Sequence, residues 1–162
     1  FNPTDLDETL RRRLLDRGVP ADEILIGGPY PFRELTGELM PTAWAGTVIF
    51  EKVLPYLVDG IPNRFFELWA SGVPVIVTRG SYVGEIAERE GGGITVEKTP
   101  QAIADAFVQL AKDRALVEEM GAAGRAAVER TYNWGTAVTA LIDLYRDLGV
   151  NPREEAREAA SA

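Results

Sequence analysis

The run VPVIVT at residues 73–78 constrains the fold more than any other stretch of the chain. It is β-branched and apolar, with no polar residue every second position, so a strand formed there is covered on both faces. A helix-period segment precedes it, with Phe65, Phe66, Leu68 and Trp69 on a broad apolar face and Gly72 as a stop. Two further runs read the same way. EILIGG (23–28) is apolar and closed by glycines, and GTVIF (46–50) is β-branched, while ITVEK (94–98) supplies a fourth strand. Strands without polar alternation, each followed by a helical segment, are parallel strands joined by crossovers. The expected fold class is α/β, a doubly wound, Rossmann-like parallel sheet of about four strands. Helices cover both faces, and the carboxyl-terminal segment is helical.

The helical signals fill the intervals. Thr4 followed by Asp5, Asp7 and Glu8 reads as an N-cap with acids in the first turn, Leu6, Leu10 and Leu14 form a stripe, and Gly18 with Pro20 stops the helix. Arg11, Arg12 and Arg13 are consecutive and fan around that helix, which makes them a solvated surface rather than a basic face. PYPFRELTGELM (29–40) gives a proline-bearing turn and a helix with Leu35 and Leu39 on one side. Pro62 is expected in the first turn of the next helix. After VPVIVT come a turn at 79–81, a helix to about Glu90 and the glycine triplet 91–93, read as a helix stop and tight turn. It lies between helix and strand, whereas a phosphate loop follows a strand and opens a helix. Three helices follow, at 100–112 (Ile103, Phe107, Leu110), 114–130 (Leu116, Met120, Val128) and 134–148 (Val138, Leu141, Ile142, Tyr145). The expected domain runs over 1–150, and NPREEAREAASA (151–162) is a peripheral helix or tail.

Composition removes several chemistries. The chain of 162 residues is 46% hydrophobic and 26% charged, ordinary for a globular domain with a real core. A net charge of −8 argues against a nucleic-acid partner, so a bound anion needs a local device such as a helix N-terminus. With no cysteine and no histidine there is no disulfide, thiolate nucleophile or Ser-His-Asp triad, and a metal held by such ligands is excluded. No stretch has the length of an integral membrane segment. The simplest localisation is cytoplasmic, or peripheral to a membrane if the substrate is a lipid.

In open parallel sheets ligands bind outside the carboxyl ends of the strands, here 27–30, 51–63, 79–83 and the loop after Val96. At 59–64, Asp59 and Gly60 relax the backbone, Ile61 and Pro62 enter the helix, and the amides near Asn63 face the strand ends, with Arg64 one residue further in. Such an end binds anions, a charge there being worth on the order of 0.3–2 kcal/mol. The other reading is that Asp59 or Asn63 caps the helix and Arg64 is solvated. Glu67, one turn on, is either an exposed acid or an acceptor for a neutral diol such as a ribose. TRGSYVGEI (78–86) likewise reads as a second anion-facing end or as plain capping by Ser81.

The stretch DGIPNRFFELWASGVPVIVTRGSYVGEI (59–86) resembles the nucleotide-sugar-binding segment of the group 1 glycosyltransferases, which have two Rossmann-like domains (the GT-B architecture). Asp59 and Glu67 keep that family's acid–seven residues–acid spacing, Pro62-Asn63-Arg64 with Phe66-Glu67 is similar to its PNK–FE variant, and Ala70 to Val75 to its AxGxPV element. GRAAVERTYNWGTAV (124–138) resembles the family's terminal arginine–aromatic–tryptophan segment, and the likeness extends over about 23–148. The resemblance implies a carboxyl-terminal donor domain of an enzyme moving a sugar from a nucleotide diphosphate sugar to an acceptor. It implies that Asp59 stands near the transferred sugar as the catalytic acid position, and that Glu67 accepts from the ribose hydroxyls. Gly60, Ile61, Pro62, Asn63 and Arg64 would face the sugar or diphosphate, and Gly28 and Tyr30 the nucleobase. It implies no cofactor and no metal in the site, the nucleotide sugar as partner, and an acceptor-binding amino-terminal domain that is missing from this chain. Aspartate in place of the family's first glutamate shortens the reach to the sugar. The Arg and Lys that clamp the diphosphate belong after an opening strand, which is expected upstream of Phe1. Two other readings stand beside it: a non-catalytic Rossmann-like binding module, and a nucleotide-sugar epimerase of the same architecture.

Overall fold

A computed structural model describes residues 3–21, 31–49 and 60–149, with side chains from residue 8 onward. The chain divides into two compact units, residues 1–35 and 36–162. In the first, helix α1 spans Pro3–Leu15. Thr4 therefore lies inside the helix rather than capping it. The helix ends as expected, with Gly18 at φ +82°. Leu10 stays about half exposed, as does Leu15.

The segment 32–42 is helical but irregular. One α-turn (Phe32–Glu34) widens into a π-type turn (Leu35–Leu39) and then tightens into a 3₁₀ turn (Met40–Thr42). Proline at 41 cannot donate to the preceding turn, which accounts for the switch at this point.

The second unit contains three parallel strands in the order β1 (Gly46–Val48), β2 (Val75–Thr78), β3 (Gly93–Val96). The α/β, Rossmann-like class is as expected. The strand expected at 23–28 lies outside the described residues, and the strand expected over 46–50 is shorter. Helix α2 (Asn63–Ala70) links β1 to β2 and α3 (Tyr82–Glu90) links β2 to β3. Helices α4 (Pro100–Lys112), α5 (Arg114–Arg130) and α6 (Trp134–Asp147) follow. Their bounds match the sequence expectation within a residue.

Side-chain alternation on β2 divides the core. Val75 and Val77 point to one face, with Val48, Phe65, Leu68 and Trp69 of α2 and Val83, Ile86 and Ala87 of α3. Ile76 points to the other, with Val96, Ala106 and Leu110 of α4 and Val117 of α5. Successive crossovers in one direction put α2 and α3 on a common face, as one handedness requires. Full burial of Phe65, Leu68 and Trp69 contributes roughly 1.5–3 kcal/mol each, as an upper bound.

Helix α5 passes below the sheet at the amino ends of the strands. A Cβ on Gly121 would lie 2.1 Å from the carbonyl oxygen of Gly72, and one on Gly124 would lie 2.6 Å from Cδ1 of Trp69. These two glycines let α5 seat directly against the end of α2. The triplet 91–93 is structural, as expected. Gly91 closes α3 at φ +72°, and the Gly92 carbonyl accepts from Trp69 Nε1 at 2.9 Å.

Three apolar stripes behave differently from expectation. On α4, Ala106 is buried while Phe107 is exposed. On α5 the innermost residues are Val117, Gly121, Gly124 and Ala127, with Leu116, Met120 and Val128 half-buried beside them. On α6 no described residue is fully buried, and Leu141, Ile142 and Tyr145 are each about 40% exposed.

Candidate functional site

Helix α2 is aimed by its own ends. Its last turn sits at the amino end of β1, where a Cβ on Gly46 would run into Leu68. Gly72, at φ +74°, then turns the chain into β2. The helix therefore runs antiparallel to the strands, and its first turn points to their carboxyl ends. Helix α3 begins at the same end, four residues after β2 closes at Thr78.

The first turn of α2 departs from expectation in one respect. Pro62 occupies the capping position with extended backbone (ψ 137°), and Asn63 is the first helical residue. Proline has no side-chain acceptor, and no side chain among the described residues caps this end. The Phe65 amide turns back to the Pro62 carbonyl at 3.0 Å. Among the described residues the Asn63 and Arg64 amides have no acceptor. Of the two readings of this turn, capping by Asn63 is therefore removed. Asp59 lies outside the described residues, as do Gly28 and Tyr30.

Around those amides, Gly60 and Pro62 are half-buried, while Ile61, Asn63 and Arg64 are exposed. Glu67 is half-buried one turn below Asn63, so the two share a helix face. Among the described residues neither Arg64 nor Glu67 has an ion-pair partner. Five expected residues of this turn thus come together with Glu67 at the strand ends.

At α3 the plain reading holds. Ser81 is nearly fully buried, its Oγ accepts from the Gly84 amide at 3.1 Å and donates to the Thr78 carbonyl at 2.7 Å. That hydroxyl caps α3 through Gly84 and directs its proton to Thr78. Arg79, beside it, is also engaged. It donates to the Thr95 carbonyl at 3.0 Å and meets Glu97 at 3.4 Å and Glu88 at 3.8 Å. A depression of about 390 Å³ beside β3 and α4, lined by Arg79, Glu97, Asp105 and Gln109 among others, contains none of the expected site residues. Among the described residues no group of three acidic, histidine or cysteine side chains could hold a metal ion, and no helix is long and apolar enough to cross a membrane.

Sequence reasoning missed the support behind α2. The Phe66 ring stacks on Tyr132 at 5.1 Å and 25°. The Tyr132 hydroxyl accepts from Arg89 and donates to Glu90 Oε1 at 3.2 Å, and Arg130 meets Glu90 Oε2 at 2.6 Å. Burial pushes the Glu90 carboxyl up, but hydrogen bonds from Arg89 and Tyr132 and the charges of Arg130 and Arg89 outweigh it and hold Glu90 below the ordinary glutamate value. The same contacts raise the Arg89 guanidinium, led by its hydrogen bonds to Glu90 and Tyr132. Only the aromatic residue just past a helix end, between Thr131 and Asn133, could have signalled this.

The family model for glycosyl transferases group 1 matches residues 23–113. Two curated relatives from Mycobacterium tuberculosis, strains CDC 1551 / Oshkosh and ATCC 25618 / H37Rv, are each described as a GDP-mannose-dependent alpha-(1-6)-phosphatidylinositol monomannoside mannosyltransferase. Each is 31% identical over 147 residues, covering 86% of this chain. The chain spans 36% of the length of these relatives. No solved structure matches. The family match takes in β1 to β3 and the whole of α2, α3 and α4, and the chain belongs to the glycosyl transferases group 1 family.

Proposed function

We propose that this chain is the donor-binding part of a glycosyltransferase that moves a sugar from a nucleotide diphosphate sugar to an acceptor. The observation that carries the reading is the first turn of α2, which no described side chain caps. Two amides without an acceptor among the described residues and the exposed Arg64 stand at the carboxyl ends of parallel strands, with Glu67, which has no ion-pair partner among the described residues, one turn further in. An anion at that turn would be met by backbone donors, the helix dipole and one guanidinium. Glu67 would take hydrogen bonds from a neutral diol, because a carboxylate beside a phosphate is repelled but beside hydroxyls is an acceptor.

On this reading the diphosphate binds across Gly60 to Arg64 and the ribose on Glu67. Asp59 stands near the transferred sugar. Departure of the diphosphate is eased by preorganised dipoles rather than by a metal or cofactor. The acceptor-binding domain lies elsewhere in the whole enzyme, which works in the cytoplasm or at a membrane face if its acceptor is a lipid. GDP-mannose is the donor to try first, since the curated relatives are described as using it.

Isothermal titration of GDP-mannose, UDP-glucose and ADP-glucose into the chain tests the reading. Saturable binding of one of them, weakened by Arg64→Ala, is expected. Absence of binding by all three in the millimolar range refutes it.

A further inference from the structure

The geometry points to Tyr132 as a positioning residue for the donor site, acting through Phe66 on the roll of helix α2. This rests on the donor-site reading above. Helix α2 is only two turns long, and Phe65, Leu68 and Trp69 fix the side it turns to the core. They set its depth and its mean roll, and the residue at the margin of that buried face limits how far the helix rocks about it. Phe66 is that residue. It is half-buried, it immediately precedes Glu67, and its described outward contact is the face of Tyr132.

Tyr132 is itself held at both ends. Its amide bonds the Ala127 carbonyl at 3.2 Å just past α5, and its hydroxyl is gripped by Arg89 and Glu90 from the last turn of α3. Glu90, 14% exposed at the side chain, is in turn fixed by Arg130. The ring is thus a wedge with its hydroxyl held by α3, its backbone tied to the end of α5 and its face against α2.

The consequence for the site follows from helix dimensions. Groups at the rim of a helix stand about 5–6 Å from its axis, so a rocking of roughly 10° moves them by about 1 Å. A displacement of that size already misaligns hydrogen bonds. Glu67 and the Arg64 side chain, both at the rim, would move with it.

The test uses the full chain and the nucleotide that binds best in titration. Tyr132→Leu, measured well below its melting temperature so that the chain is folded, is expected to weaken binding about three- to tenfold, the equivalent of one misplaced hydrogen bond. Tyr132→Phe keeps the stacked ring but releases it from Arg89 and Glu90, and is expected to weaken binding measurably but less than Tyr132→Leu does. Val117→Ala, on the opposite face of the sheet, serves as a variant that destabilises without touching α2 and is expected to leave binding unchanged. Should Tyr132→Leu fail to fold, Phe66→Leu removes the other half of the stack. Where both fold, their effects are expected to be non-additive in the double variant.

Wild-type binding with an unchanged dissociation constant in Tyr132→Leu and Phe66→Leu overturns this inference alone. Failure of the wild type to bind any nucleotide overturns the donor-site reading and this inference with it.

Discussion

Replacing Gly121 by alanine puts a methyl group where the backbone of the chain already is. Its Cβ would stand 2.1 Å from the carbonyl oxygen of Gly72 and 3.0 Å from the carbonyl carbon. No rotamer change relieves a contact with backbone, so α5 and the turn after α2 must separate by about 1 Å to restore an ordinary contact. Overpacking of this kind costs about 1–3 kcal/mol, and a backbone obstacle belongs at the upper end. Against that, alanine is better than glycine inside a helix by about 1 kcal/mol. The net expectation is destabilisation of about 2 kcal/mol, or a melting temperature lower by about 4–8 °C for a chain of this size. The next residue, Ala122, is exposed on the same helix, and Ala122→Gly should cost about 1 kcal/mol by propensity alone. Calorimetric melting of both variants beside wild type decides the matter. A Gly121→Ala chain that melts at or above wild type would show that helix propensity dominates and that α5 does not seat on the α2–β2 turn as described.

Other expectations are more local. Glu67→Ala should weaken nucleotide binding with little loss of stability, since its carboxylate has no described partner; equal loss of binding and melting temperature would make Glu67 structural. Ser81→Ala removes the cap of α3 and should cost about 0.5–2 kcal/mol by urea denaturation, toward the upper end because the hydroxyl is buried. The lowered Glu90 carboxyl makes a sign prediction. Its contribution is fully present above its ordinary value of 4.5 and is lost as the pH falls through the depressed folded value. The stability gap between wild type and Glu90→Gln should therefore be constant near neutrality and narrow in acid. A gap that stays constant down to pH 3 would contradict the clamp on Glu90.

Much of the fold was legible in the sequence because its signals act over a few residues. β-branched runs without polar alternation specify buried parallel strands, and Val75–Thr78 formed where VPVIVT placed it. Gly72 and Gly91 end their helices at positive φ, and Ser81 caps α3, since each effect is decided within one turn. The spacing from Pro62 to Glu67 likewise put one helix end and one acid together. Tertiary structure decided what depends on partners far away in the chain. Periodicity alone could not tell Ala106 from Phe107 as the inward residue of α4, because the close sheet-facing position has room for the smaller side chain. Nor could it say that Gly121 and Gly124 exist for close approach, or that α6 leaves its stripe exposed. The stack of Tyr132 on Phe66 joins residues 66 positions apart, and only packing brings them to one place. The sequence by itself determined which elements form and where the chain turns between them. How firmly α2 is held was settled by packing against α3, α5 and Tyr132, whose energies exist only once the chain is folded.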